Sequence, residues 1–304
     1  MSLADLYLVG APKAGTTSVA SWLGQHPDVF WSTPKEPFYW AADYPRMRAH
    51  YGFDTRASYE RLYRSPRAAA ATVRGDGSTT YLYSRTAIPD ILAAQPDARF
   101  IVCLRDPLDM LVSYHRTQLV ALNEDEPDFG AAWRRSLEGR LPTGTDPLDP
   151  KLLDYPSVGR VGAALGRLLE HVDLERLHVV VFDDLVADPE ATWGAVTAFV
   201  GIPATPRPTF EVRNMSQKMY ASKALRRLEH RPPSGLERPV RVLRQWSRTT
   251  SLPAVRTIKR RMWRPEPRPV ASGEDAAAVA ELLRPDVELL SELVDRDLGH
   301  WLRG

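Results

Sequence analysis

Residues 10–18 read Gly10-Ala11-Pro12-Lys13-Ala14-Gly15-Thr16-Thr17-Ser18 and directly follow the apolar run Leu6-Tyr7-Leu8-Val9. Consecutive backbone N–H groups at the start of a helix make a cradle for a phosphate or a sulfate. Gly15 lets the backbone come close to such an anion, and the threonine hydroxyls add donors. A triphosphate-binding loop of the pattern GxxxxGK[ST] carries its lysine just after the second glycine. Here that position is Thr16, and the lysine is Lys13, inside the loop. The usual magnesium-binding arrangement is therefore not reproduced, and Lys13 sits over the anion from the loop side. The bland alternative is an ordinary Gly-Thr strand-to-helix turn.

A second cluster begins at Arg105-Asp106-Pro107, where another apolar run, Phe100-Ile101-Val102-Cys103-Leu104, ends. The planar fork of Arg105 can grip a phosphate with two hydrogen bonds. Ser113, eight residues on, falls about two turns along the next helix and offers a hydroxyl to the same anion. Alternatively, Arg105 closes a strand-end ion pair with Asp106 or Asp109.

Both clusters need elements that bring them together. Leu6–Gly10, Phe100–Leu104 and Leu177–Phe182 read as buried parallel strands, the last stopped by Asp183-Asp184. Thr16 or Thr17 can cap a helix running to about Gln25, and a helix should follow Pro107 through about Leu122. Pro189 suits the first residue of a helix ending near Gly201, and 275–301 is helical in pattern. Strands separated by helices predict an α/β fold, a single P-loop-like domain over 1–304 with a central parallel sheet flanked by helices. Such sheets bind ligands at the carboxyl ends of their strands, where the 10–17 loop and the 105–107 turn both fall.

Composition excludes several classes. The 304 residues carry 40 Lys+Arg against 38 Asp+Glu, so a net charge of +2 gives no global case for nucleic acid. A lone Cys103 excludes an internal disulfide framework and a cysteine-based zinc site. The seven histidines show no metal-ligand spacing, and no metal is predicted. No apolar run approaches the ~18 residues that span a bilayer. The glycine-rich loop begins at Gly10, which leaves no signal peptide, so a cytoplasmic protein is expected. The skew of 34 Arg to 6 Lys suggests a GC-rich bacterial genome. Charge is unevenly placed: residues 221–268 hold 14 basic and 3 acidic residues. This proline-rich stretch, to about 270, reads as a solvated lid or loop, as a cover over an anionic ligand, or as a docking face for an anionic acceptor or a membrane surface.

Taken together, 11–18 resembles the 5′-phosphosulfate loop of the sulfotransferases that use 3′-phosphoadenosine 5′-phosphosulfate (PAPS). Arg105-Asp106-Pro107 with Ser113-Tyr114 is similar to that family's 3′-phosphate motif. Lys35-Glu36-Pro37-Phe38-Tyr39-Trp40, Val181-Phe182-Asp183-Asp184-Leu185 and the tail from Leu283 to Trp301 resemble it too, closest to the carbohydrate, heparan sulfate-type branch and its bacterial relatives. The resemblance implies PAPS as donor, 3′-phosphoadenosine 5′-phosphate (PAP) as product, no metal, and a hydroxyl of a carbohydrate or small natural product as acceptor. It implies that Pro12, Lys13, Ala14, Gly15, Thr16, Thr17, Ser18, Arg105 and Ser113 bind the donor. Asn214, with Ser216, is a further expected 3′-phosphate contact.

Glu36 is the implied base, taking the acceptor's proton, with Pro37 holding Glu36 extended. Lys13 would neutralise charge on the departing bridging oxygen. One departure concerns Asp76-Gly77-Ser78-Thr79-Thr80-Tyr81: Gly77 stands where heparan-branch relatives often carry a lysine, which removes a positive charge near the transferred group. Asp76 either orients the surroundings of Glu36 or packs structurally. His115 is expected to be a surface or packed residue, Cys103, Trp22, Trp193 and Trp301 to be core, and Trp31, Tyr39 and Trp40 to line an acceptor pocket. Two other functions fit parts of the sequence. A P-loop kinase would use Val179–Asp183 as a Walker B segment, and a non-catalytic anion binder would dock through the basic stretch.

Overall fold

The computed structural model describes residues 3–210 and 270–302, and between them 218–220, 222–233, 235–236, 239–240, 242–243, 246, 252, 255, 257 and 262–265. In chain order the first half holds β1 (Leu6–Gly10), α1 (Thr16–Gln25), β2 (Val29–Trp31), α2 (Pro45–Tyr51), α3 (Arg56–Glu60), α4 (Pro66–Ala70), β3 (Val73–Asp76), α5 (Ala87–Ala94), β4 (Arg99–Leu104) and α6 (Pro107–Val120). There follow α7 (Phe129–Leu137), α8 (Tyr155–Gly159), α9 (Val161–Leu169), β5 (Leu177–Val181), α10 (Phe182–Ala187), α11 (Pro189–Val200), β6 (Lys218–Tyr220), α12 (Lys223–His230), β7 (Trp263–Pro265) and α13 (Gly273–Leu293).

β1 to β5 form one parallel sheet in the order β2-β3-β1-β4-β5, flanked by helices. β1 is buried along its whole length and pairs Tyr7 with Asp76 of β3 on one side and with Phe100 of β4 on the other. The chain order reverses around β1, so the loops after β1 and β4 open at the switch point where parallel sheets accept ligands. Cys103 lies in the buried β4, and loss of water pushes its thiol up to about 12. Trp22, Trp193 and Trp301 are likewise core.

The expected strands are β1, β4 and β5, with two ends shifted by one residue: β4 begins at Arg99, and β5 ends at Val181. Phe182 opens α10 instead of closing β5, because Asp183 and Asp184 in the first turn complement the helix dipole. The Arg-Asp-Pro turn has a simple local cause. Asp106 accepts from the Asp109 N–H at 3.0 Å, capping α6, and Pro107 supplies a first helical residue that needs no N–H partner. Asp188 and Pro189 repeat the device on α11, which ends at Gly201 with φ 74°. The tail is helical to Leu293, and Asp286 of α13 caps the first turn of α9 through Gly162 and Ala163, at 2.7 and 2.8 Å.

β6, just before the basic stretch, pairs antiparallel with β7 inside it. Arg226 of α12 donates to the Leu119 carbonyl at 2.7 Å, and Arg231 to the Leu122 carbonyl at 3.3 Å, so this part is fastened to the far end of α6. Among the described residues no helix is long and apolar enough to cross a membrane.

Candidate functional site

The loop after β1 meets α1 at Gly15, whose φ of 94° is a left-handed conformation that glycine adopts without strain. Gly15, and not a threonine, is the cap residue, and no side chain caps the helix. Thr16 is the first helical residue, buried, with its hydroxyl turned to another partner. Among the described residues the N–H groups of Gly15, Thr16 and Thr17 donate to no protein acceptor. They converge at a helix start, where the dipole favours an anion. Ala14 is buried beneath the loop, Pro12 and Ser18 are partly exposed, and Thr17 is exposed. Lys13 also holds a left-handed φ, 65°. Loss of water around its ammonium pulls Lys13 down to about 8. Glu36 opposes that shift, and Lys35 and Arg105 add to it.

Glu36 reaches the same corner from the loop after β2. Its Oε1 accepts from Lys35 Nζ at 3.2 Å and its Oε2 from the Thr79 hydroxyl at 3.2 Å. The loop is held from below by Asp76, which is wholly buried at the end of β3. Asp76 accepts from the Ser78 N–H and hydroxyl (3.0 and 2.7 Å), Tyr59 (2.9 Å) and Tyr81 (3.0 Å). The Ser78 oxygen in turn accepts from the Phe38 N–H at 3.0 Å, and Tyr81 from the Trp40 N–H at 3.3 Å. Phe38 is thereby kept at a left-handed φ of 61°. Burial pushes the Asp76 carboxyl up to about 6, with these hydrogen bonds pulling it back. Of the two roles open to Asp76, the geometry selects the orienting one: Asp76 fixes the backbone that carries Glu36.

Arg105, at the end of β4, donates to the Lys13 carbonyl at 3.1 Å and to Asp109 Oδ2 at 2.7 Å, and stacks over Phe182 at 4.5 Å. The ion pair with Asp109 is therefore present. It leaves Arg105 Nε buried and without a partner among the described residues. Phe182 also packs against Gly15, where a Cβ would stand 3.1 Å from its ring, so α10 seals the back of the loop. Ser113 is buried on α6, one turn beyond Asp109. Asn214 and Ser216 lie outside the described residues.

The structure thus gathers Lys13, Thr16, Glu36 and Arg105 at the carboxyl end of β1 and β4. Two contributors escaped the sequence reading, Lys35 and Thr79. Lys35 Nζ donates to the Thr16 hydroxyl at 3.1 Å as well as to Glu36. Its stem lies where a side chain on Gly77 would be, with Cε 3.0 Å and Cγ 3.1 Å from a Cβ built there. Gly77 itself carries no charge, and the aliphatic stem of Lys35 from the neighbouring loop lies along it. The signal available in the sequence was the coincidence of a glycine at 77 with a lysine beside Glu36.

His115 is a packed residue, with Nε2 2.8 Å from the Glu126 carbonyl and its ring against Phe129 and Tyr155. Tyr39 and Trp40 line a cavity of about 330 Å³ with Arg48 and Arg56. Trp31 lies instead across Gly75 and Gly77.

A model of the sulfotransferase family matches residues 5–206 of this chain. The bifunctional heparan sulfate N-deacetylase/N-sulfotransferase 1 of Caenorhabditis elegans is 25% identical over 209 residues, covering 69% of this chain and 23% of that protein. Human heparan sulfate glucosamine 3-O-sulfotransferase 3B1 is 24% identical over 201 residues, covering 66% of this chain and 46% of the relative. The chain spans less than half the length of these curated relatives. The crystal structure of a sulfotransferase from Alicyclobacillus acidocaldarius shares the fold, with a TM-score of 0.71 at 19% identity and 100% coverage of both chains.

Proposed function

Since this chain belongs to the sulfotransferase family, we propose that it transfers the sulfuryl group of PAPS to a hydroxyl of a carbohydrate or small natural-product acceptor. The observation that carries this is the meeting of an uncapped helix start, with Lys13 above it, and a carboxylate, Glu36, bridged to that helix start through Lys35. An anion cradle and a base share one corner. The heparan sulfate relatives support a carbohydrate acceptor.

In the proposed reaction the 5′-phosphosulfate lies on the N–H groups of Gly15 to Thr17, with Pro12, Lys13, Ala14 and Ser18 completing the loop around it. Arg105 and Ser113 take the 3′-phosphate, and Asn214 is assigned to the same anion. The buried Nε of Arg105, which has no partner among the described residues, supports this, because such a group retains a donor to give. Glu36 accepts the proton of the acceptor hydroxyl as its oxygen bonds to sulfur. The bond from sulfur to the bridging phosphate oxygen breaks in line, and its electron pair stays on that oxygen. Lys13 neutralises the charge there as PAP forms. The products are a sulfate ester, PAP and a proton on Glu36; the protein supplies position and charge, with no covalent intermediate. The basic stretch, fastened to the far end of α6 by Arg226 and Arg231, is assigned the part of a cover over the anionic ligands on its charge alone.

Incubating the protein with sulfur-labelled PAPS and a panel of oligosaccharides and small hydroxyl compounds tests this directly. Label is expected in a sulfate ester with equal release of PAP. Tight donor binding without transfer to any acceptor would support the anion-binding alternative instead.

A pH dependence follows from Lys13. Its charged form binds the anion, and in the free protein that charge is lost as pH rises through about 8. Affinity for PAP should be level below neutrality and then weaken, by up to about tenfold per pH unit above 8. Calorimetric titrations from pH 6.5 to 9.5 read this out, and a flat profile would remove the Lys13 charge from donor binding.

A further inference from the structure

Lys35 stands at a place that its own loop does not require. Its Nζ lies 3.1 Å from the Thr16 hydroxyl, in the first turn of the anion-binding helix, and 3.2 Å from Glu36 Oε1. Seen from Lys35, the donor cradle is on one side and the proposed base on the other. Its ammonium also counts among the positive charges that lower Lys13, so two cations face one small volume. The side chain is about four-fifths covered, at 21% exposure.

The route to that position is built by the sheet. β2 and β3 run side by side, bringing the chain beyond Trp31 next to Gly77. There the Gly77 N–H donates to the Lys35 carbonyl at 3.0 Å, which fixes the lysine's backbone. The stem then runs along the open face of Gly77 beside Trp31, in a trench that a single methyl group at 77 would fill to 3.0–3.1 Å from Lys35 and Trp31 atoms. A surface ion pair with Glu36 would need none of this, since adjacent residues in a loop can meet in solvent.

We propose that Lys35 is a catalytic cation: its ammonium contacts the sulfuryl oxygens as the group passes from donor to acceptor, and Gly77 is the opening that admits its side chain. This rests on the reading of Thr16 as donor cradle and Glu36 as base. During transfer the sulfuryl group lies between a leaving phosphate oxygen and an incoming hydroxyl oxygen, and Lys13 serves the first. Lys35, hydrogen-bonded to both walls of that gap, is placed to serve the group between them. Electrostatic stabilisation of this kind acts on the transition state more than on bound product.

The test is a double-mutant cycle on the full-length protein, with single-turnover rates from labelled PAPS and calorimetric PAP affinities. Lys35→Met keeps most of the stem and removes the charge. Its rate should fall about 10²-fold, with PAP affinity held within about threefold because PAP lacks the sulfuryl group. The same loss should recur in the Glu36→Gln background, because a cation acting on the transferred group does not need the carboxylate. Gly77→Ala should cost about tenfold alone and at most about twofold further beside Lys35→Ala, which removes the Lys35 contacts and leaves only that with Trp31. A Lys35→Met effect that vanishes beside Glu36→Gln would make Lys35 only the base's ion-pair partner and overturn the proposal. Near-normal turnover of Lys35→Met would also overturn it. Failure of the Glu36 assignment reads separately, as full activity of Glu36→Gln alone.

Discussion

Lys13→Ala is expected to lower kcat/KM by about 10³-fold or more, a transition-state loss of about 4 kcal/mol, while leaving the fold intact. Two observations set this scale. The lysine lies inside the loop that surrounds the uncapped start of α1, and Arg105 holds its carbonyl from behind at 3.1 Å. Arg105 is thus tied to the backbone at Lys13, and the Lys13 ammonium is the cation proposed for the leaving oxygen. Its backbone conformation provides an internal control. At a φ of 65°, a residue with a Cβ is held at a cost of about 1–2 kcal/mol that glycine does not incur. Lys13→Gly should therefore be as inactive as Lys13→Ala yet melt at an equal or higher temperature. Loss of activity with a gain in stability would separate chemistry from folding. Turnover within tenfold of the parent in either variant would show that Lys13 does not serve the leaving oxygen.

Glu36→Gln should lower kcat by about 10²–10⁴-fold and spare PAP affinity. The substitution is nearly isosteric. The Thr79 and Lys35 contacts, both 3.2 Å, have acceptors or donors to meet in the amide, so the loop should stay in place. Its backbone is fixed independently by the chain from Asp76 through Ser78 to Phe38 and through Tyr81 to Trp40. What disappears is the capacity to take the acceptor's proton. Calorimetry with PAP and a rate measurement with PAPS on the same preparation distinguish the outcomes. Joint loss of transfer and donor binding would mean that Glu36 organises the donor cradle and that the base lies elsewhere.

The loop and arginine of the candidate site were legible in the sequence because their causes are local. A buried strand, a glycine with a left-handed φ and a helix start all fall within 6–25, and Arg105, its capping Asp106 and Pro107 are consecutive. The surroundings of Glu36 were less legible because their causes are distant. The contacts between Thr79 and Glu36, and between Gly77 and Lys35, depend on the pairing of β2 with β3. Neither strand stands out by pattern: each is short, and β3 includes Gly75 and the buried Asp76. The short helices α2, α3 and α4 were invisible for a related reason, since one or two turns carry too little periodicity to read. They are set by caps such as Thr55 on α3 and Ser65 on α4, and by packing on the core. Arg105 shows both sides of the same limit: its place at the strand end was readable, while its contacts with Asp109, Phe182 and the Lys13 carbonyl were fixed only by the fold.

Titration calorimetry with PAP against ATP plus magnesium tests whether this corner holds a 3′-phosphorylated sulfuryl donor. PAP should bind tightly and ATP at least ~100-fold more weakly, because ATP leaves the 3′-phosphate contacts at Arg105 unmade in a buried setting. Equal or tighter binding of ATP with magnesium would contradict it and point to phosphoryl transfer.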